Sequence, residues 1–210
     1  MILRAAGRSA VPWKNGGGIT REVAVHPPGS DLGSFDWRVS LAEVRSPGPF
    51  STFPGIDRHL ALISGRLLLR IAGEEAVLLT PASEPCDFPG DLAAAAEPLD
   101  SPVADLNVMT RRGRFAARLR RCSAVRDPVL RLQADTTLLL ALAPLTARSA
   151  SGATQLGALD ALRLGAQQHA PLVLYIDPPA TDFYLIEIER LGQHAVPFGG
   201  VGASGTALTS

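Results

Sequence analysis

The sequence predicts an all-β protein, and three observations carry that prediction. Short apolar–polar alternations recur along the chain, as in Phe35-Asp36-Trp37-Arg38-Val39-Ser40-Leu41-Ala42, where every second residue shares a face. Between them stand turn-forming clusters, drawn from 20 glycines and 17 prolines, that leave little room for long helices. The strands are also short and evenly spaced, which indicates a sandwich or a barrel. A chain of 210 residues suits one large all-β domain or two small ones, and its 46% hydrophobic content is enough for a globular core. The two halves carry similar numbers of strands. Two similar β-sandwiches in tandem explain this, with a seam near residues 112–127.

The elements follow in order. Trp13-Lys14-Asn15-Gly16-Gly17-Gly18 sets an indole, a cation and an amide before three glycines, where the backbone can approach other groups closely. Residues 19–25 read as the strand that this loop feeds. Residues 35–44 form the alternating strand quoted above, with Phe35, Trp37, Val39 and Leu41 on one face. After the Pro-Gly turns at 46–49 and 54–55, residues 59–63, 67–71 and 76–80 read as three strands of a meander. Phe88-Pro89-Gly90-Asp91 reads as a turn, and residues 93–96 as strand or loop because Pro98 would stop a helix. Asp105-Leu106-Asn107-Val108-Met109-Thr110-Arg111 alternates again. Its face of Asp105, Asn107, Met109 and Arg111 suits either solvent or the lining of a wet cavity. Residues 114–122, 129–133, 136–143, 159–164, 172–176 and 183–189 read as further strands, with 154–164 alternatively one short helix. The small-residue tail at 199–205 is expected to be mobile.

Several function classes lose support. Lys+Arg and Asp+Glu are 20 each, so no basic surplus favours nucleic acid or anionic lipid. The apolar runs are too short to span a bilayer as helices, and no signal-peptide pattern follows Met1, which makes the cytoplasm the default compartment. Cys86 and Cys122 lack metal or redox spacing and read as reduced structural residues. His26, His59, His169 and His194 stand alone, without the i, i+2 pairing that presents two imidazoles from one strand, so no metal and no cofactor is expected. Lys14 precedes its glycines and a strand follows them, the reverse of a phosphate-binding loop.

What remains is anion recognition. Lys14, Arg21, Arg38, Arg58 and Arg111 lie in or beside the stretches that carry Trp13, Asn15, Trp37, Asn107 and Met109. A guanidinium grips a carboxylate through two parallel hydrogen bonds, and a lysine adds a point charge. An asparagine amide both donates and accepts. Structural ion pairs with Asp36, Glu43, Asp57 or Asp105 are the competing use of these arginines.

Four stretches also carry a resemblance. They are Trp13-Lys14-Asn15-Gly16-Gly17-Gly18-Ile19-Thr20-Arg21-Glu22, the strand from Phe35 to Val44, Gly48-Pro49-Phe50-Ser51-Thr52-Phe53-Pro54-Gly55-Ile56-Asp57-Arg58, and Asp105 to Arg112. With Phe88-Pro89-Gly90-Asp91, they resemble the HutD/Ves family over about residues 10–115. The resemblance implies an RmlC-like bicupin fold: two β-barrel or jelly-roll halves, at 1–112 with the motifs and at 113–210 as a cupin-like second half. It also implies no histidine pair for a metal, and a small-molecule-binding or regulatory role in histidine utilisation. Candidate ligands are then N-formylglutamate and urocanate.

The site expected on this basis has Arg58 as the primary carboxylate fork and Lys14 as a second cation. Asn15 and Asn107 read an amide or formyl group, Trp37 and Met109 line the pocket, and Arg21, Arg38 and Arg111 stand nearby. The expected partner is a small anionic ligand, with a homodimer as a possible assembly. The alternatives are a cupin-type enzyme, an isomerase or a metal-dependent one with Glu43 as base and His59 as imidazole, or a protein-interaction module. Convergence of Glu43 and His59 on one pocket would favour the enzyme.

Overall fold

A computed structural model describes residues 1–100, 102–165, 172–177 and 181–192. The tail at 199–205, His169 and His194 lie outside the described residues. The strands are β1 (Ile2–Leu3), β2 (Ala10–Pro12), β3 (Gly18–His26), β4 (Trp37–Val44), β5 (Gly48–Pro49), β6 (Ile56–Ser64), β7 (Leu67–Ile71), β8 (Val77–Leu79), β9 (Cys86–Pro89) and β10 (Ala94–Pro98). They continue as β11 (Val103–Arg111), β12 (Phe115–Ser123), β13 (Val129–Leu132), β14 (Thr136–Ala141), β15 (Leu145–Ser149), β16 (Gly152–Leu156), β17 (Ala161–Gly165), β18 (Leu172–Asp177) and β19 (Asp182–Arg190). Apart from a 3-10 turn at Ala5–Gly7, the regular structure of the described residues is all β.

These strands make four sheets, ordered β5-β10-β7-β8, β2-β3-β4-β11-β6-β9, β1-β17-β14-β19-β12 and β13-β18-β15-β16. The sheets are layers and not closed barrels. Three apolar clusters stack them in that order. Leu60, Leu62 and Val103 of the six-stranded sheet meet Leu67, Leu69 and Ala96 of the first four-stranded sheet. The other face of the six-stranded sheet, with Val39, Leu41, Ala61, Leu106 and Val108, meets Leu138, Leu140, Tyr184 and Ile186 of the five-stranded sheet. Leu139, Phe183 and Leu185 then meet Leu145, Leu174 and Ile176 of the last. The two inner sheets are therefore buried on both faces, which is why Leu138-Leu139-Leu140 is a continuous apolar run and not an alternating one.

The strand order contains a repeat. The set β4-β11-β6-β9 facing β5-β10-β7-β8 recurs as β12-β19-β14-β17 facing β13-β18-β15-β16. Beyond the repeat, β1 pairs with β17, so the first residues of the chain sit with the second set of strands. Asp160 fixes this arrangement, accepting from the Ala5 N–H at 2.7 Å and from Arg4 at 2.6 Å.

Three expectations need correction. The meander is not one. Both edges of β6 are taken, by β11 and by β9, so β7 has no edge of β6 to join; it pairs instead with β10 and β8 in the facing sheet. The chain crosses between sheets at Gly65, whose φ of +80° a side chain rarely adopts and whose Cβ would stand 2.9 Å from Val103. The helix considered at 154–164 is the end of β16, a turn and β17, because Leu156 is needed in one apolar layer and Ala161 in the other. Phe88-Pro89 is not part of a turn but the end of an edge strand, where a proline costs no ladder bond, and the turn follows at Gly90-Asp91.

Candidate functional site

One face of the six-stranded sheet carries buried polar side chains among the apolar residues that pack on the facing sheet. It looks toward β5-β10-β7-β8 and is built in rungs by the pairing of β4, β11 and β6. Met109 stands between Arg38 and Arg58, Asn107 between Ser40 and Leu60, and Asp105 between Ala42 and Leu62. Successive rungs on one face are about 7 Å apart. Period-2 alternation puts all these side chains on the side opposite Leu106 and Val108.

Arg58 is 3% exposed, and its head lies among aromatic rings. Its Cζ is 5.0 Å from the centroid of Phe50, 5.0 Å from Phe88 and 5.8 Å from Phe53. Among the described residues its one hydrogen bond is a long one, from Nη1 to the Ser51 carbonyl at 3.4 Å, and Nε has no partner. Burial pushes its pKa down to about 10, against the pull of Asp105. Asp105 is 1% exposed, and burial raises its pKa to about 7, opposed by Arg58. Among the described residues the two make no ion pair within 4.0 Å, and the Asp105 Oδ1 and Asn107 Oδ1 atoms are buried without partners. Arg58 donors and two acceptors therefore share one face, unsatisfied by the protein.

The glycine-rich loop closes this face at one side. Asn15 Oδ1 accepts from the Gly17 N–H at 3.0 Å, and Trp13 Nε1 donates to Thr20 Oγ1 at 2.8 Å. Trp13 meets Phe50 edge-on at 6.1 Å, which joins the loop to the Arg58 cage. The glycine at 18 is forced by close approach, since a Cβ there would stand 2.5 Å from the Glu43 carbonyl oxygen. Gly18→Ala should therefore cost about 1–3 kcal/mol, because backbone must move, read as a lower denaturant midpoint at unchanged slope.

The Phe50-to-Arg58 stretch and the Phe88-to-Asp91 stretch are clamped together. Phe53 N–H donates to the Gly90 carbonyl at 2.7 Å, Gly90 N–H to the Ile56 carbonyl at 2.7 Å, and Gly55 N–H to Asp91 at 3.0 Å. Arg112 spans Asp57 and Asp91, both at 2.7 Å. This clamp orients the start of β6 and with it Arg58.

The structure brings together Arg58, Asn107 and Met109. Met109 packs with Phe35, Ile56 and Phe53 at one end of the face. Lys14 and Asn15 are exposed on the adjoining loop. Arg38 is engaged by Glu22 at 2.9 Å and by Ser40 at 3.3 Å, and Arg111 by the Phe35 carbonyl at 2.7 Å. Trp37 lies across the sheet, in the layer between the two inner sheets, with His26 stacked at 5.6 Å and Arg163 Cζ 5.0 Å from its centroid. Arg21 and Glu43 are on that far face too, 3.8 Å apart, and Glu43 also holds Arg45 at 2.6 Å. His59 pairs with Asp87 at 2.7 Å. Glu43 and His59 do not converge: their β11 partners, Ala104 and Val108, are four residues apart, about 13 Å along the strand. Among the described residues no group of three or more His, Cys, Asp or Glu stands ready for a metal, and no helix is long and apolar enough to cross a membrane.

Sequence reasoning missed Asp105 as a site residue, and with it the cage of Phe50, Phe53 and Phe88. For Asp105 the signal was present, since it shares the alternation of Asn107 and Met109.

A family model described as HutD matches residues 5–177. The chain belongs to the HutD family. Its relatives include an uncharacterized 21.2 kDa protein in the hutC 3′ region of Pseudomonas putida, 33% identical over 168 residues, which is 78% of this chain and 85% of that protein. Protein Ves of Cronobacter sakazakii is 36% identical over 109 residues, 51% of this chain and 59% of Ves. HutD from Pseudomonas fluorescens SBW25, solved in a formate condition, superposes with a TM-score of 0.76 at 30% identity, covering 91% of this chain and 99% of that one. A conserved protein of unknown function from Pseudomonas aeruginosa PAO1 gives 0.81 at 30%, covering 90% and 98%. A cupin 2 conserved barrel domain protein from Leptotrichia buccalis, at 0.53 and 9% identity over 82% of this chain and 89% of that one, shares the cupin-like fold alone. The HutD relation points to histidine utilisation.

Proposed function

We propose that this HutD-family chain is a non-catalytic binding protein for a small carboxylate, and that it senses or modulates histidine catabolism. The observation that carries the reading is the buried Arg58 head with Nε unpartnered, above a face whose Asn107 and Asp105 oxygens are unpartnered as well. A buried polar group without a partner is costly, and several on one face mark where a ligand supplies the partners. A carboxylate accepts from Arg58, and an N–H on the same ligand donates to Asn107 Oδ1 one rung away. N-formylglutamate offers a carboxylate and an amide N–H, and urocanate a carboxylate and an imidazole N–H. Formate offers only the carboxylate and leaves both acceptors unsatisfied.

The repeated strand order supports reading the chain as two cupin-type halves, 1–112 carrying the site and 113–210 supporting it. A thermal-shift titration with N-formylglutamate, urocanate, glutamate, histidine and formate tests the function. A ligand that binds only the folded state stabilises it by about 2.7 kcal/mol at a hundredfold excess over Kd, and so raises the melting temperature. The expected result is a saturable rise with N-formylglutamate or urocanate and a smaller one with formate. A rise with divalent metals alone would instead support an enzyme reading.

A further inference from the structure

Asp105 sits two rungs from Arg58 on the inward face, wholly buried, with Oδ1 unpartnered and no ion pair to that guanidinium. The surroundings supply few other charges. From β6 only Arg58 faces it. On the same inner face β4 contributes Arg38, already held by Glu22 of β3, and β9 contributes the thiol of Cys86. The layer opposite is Leu67, Leu69, Ile71, Leu79, Ala94 and Ala96, with no ionisable group. Arg111, at the end of β11 itself, is occupied by the Phe35 carbonyl. Asp105 is therefore the chief negative charge answering Arg58 on this buried face.

We propose that Asp105 is a ligand-binding residue that takes up a proton when a carboxylate binds, so that the ligand replaces it as the counter-charge of Arg58. The inference rests on the carboxylate-binding reading above. A second negative charge on this buried face would leave the site with a net charge that a low-dielectric interior disfavours strongly. Protonation of Asp105 restores neutrality. The proton comes from solvent, adds to one carboxyl oxygen, and turns Asp105 from an acceptor into an O–H donor toward the ligand or Asn107 Oδ1. The balance is one buried ligand carboxylate and one proton bound together, with the second carboxylate of a dicarboxylate such as N-formylglutamate remaining outside the buried face. Burial has already brought the Asp105 pKa to about 7, so the exchange falls in an accessible pH range.

Calorimetric titration with N-formylglutamate in buffers of differing ionisation enthalpy counts the protons. The carboxyls of this probe do not titrate between pH 6 and 9, so any uptake belongs to the protein. Near pH 8 uptake should approach one proton per ligand, and near pH 6 it should fall toward zero. Affinity should drop about tenfold per pH unit above neutrality, as one proton per ligand requires. Asp105→Asn, which mimics the neutral acid in shape, should bind with flat pH dependence and no uptake.

A ligand-free measurement checks the same group. A carboxyl whose folded pKa is raised stabilises the fold below its unfolded pKa of about 3.9 and loses that contribution as pH rises through the folded value near 7. The melting temperature of Asp105→Asn should therefore gain on the wild type as pH rises from 5 to 8. Binding with no proton uptake at pH 8 and with pH-independent affinity overturns the inference alone. Absence of binding by both N-formylglutamate and urocanate at every pH from 5.5 to 9 overturns the reading of the site and the inference with it.

Discussion

Arg58→Met removes carboxylate binding and leaves the protein at least as stable as the wild type. The binding loss is expected at about 2–4 kcal/mol, the scale of breaking one side of a desolvated charge pair, or roughly 30- to 1000-fold in Kd. The stability result follows from the surroundings of Arg58. Its head is buried with Nε unpartnered, and its one hydrogen bond among the described residues is 3.4 Å long. Desolvating a guanidinium costs several kcal/mol. Stacking on Phe50, Phe53 and Phe88 offsets part of this, at about 0.5–2 kcal/mol per ring. Methionine keeps the unbranched apolar stem to about the position of Nε and adapts to the rings without the charge. Asp105, released from the opposing pull of Arg58, then becomes easier to protonate and is buried neutral. A melting temperature equal to the wild type or a few degrees above it, together with lost N-formylglutamate binding, is the signature of a residue kept for function. A fall of more than about 5 °C would make Arg58 a structural post, and unchanged affinity would remove it from the site.

Arg58 was readable because it follows a Pro-Gly turn at the start of a strand, and Asn107 with Met109 because β11 alternates cleanly. Which face of a sheet looks into a site was not readable, because alternation says which residues travel together and not which side is wet. Trp37 shows this. It alternates with Val39 and Leu41, and only the packing of the second strand set against this face reveals that the whole group lies between two sheets. The same packing turned Leu138-Leu139-Leu140 into a strand buried on both sides. The arginines divided along another line. Arg21, Arg38, Arg111 and Arg112 found acids or carbonyls nearby, as exposed or half-buried arginines commonly do, while Arg58 is buried and makes no ion pair among the described residues, with Asp105 two rungs away on the same face. The cage rings come from two segments far apart in sequence, the loop before β6 and strand β9, and their convergence depends on the clamp between the Phe53 and Gly90 backbones, which local pattern does not encode.

Trp37→Ala separates the two faces of the six-stranded sheet by experiment. The indole is 2% exposed, lies against the His26 ring at 5.6 Å and under Arg163, and belongs to the cluster that joins the six-stranded to the five-stranded sheet. Truncation leaves a void in a layer held from both sides by continuous sheets, so little collapse is available. The cost should be about 3–5 kcal/mol, a fall in melting temperature on the order of 10 °C for a chain of this length. The inward rungs are on the other side of the same strand. Arg38 and Ser40 keep their partners in β3 and β11, and nothing between Trp37 and Arg58 has to move. At a temperature where the variant is still folded, N-formylglutamate affinity should stay within about threefold of the wild type, because sites without shared contacts act independently. A variant that keeps its melting temperature but loses affinity would put Trp37 back in the pocket. A large loss of both would mean that the interlayer core and the binding face respond as one unit, with the second set of strands setting the geometry at Arg58.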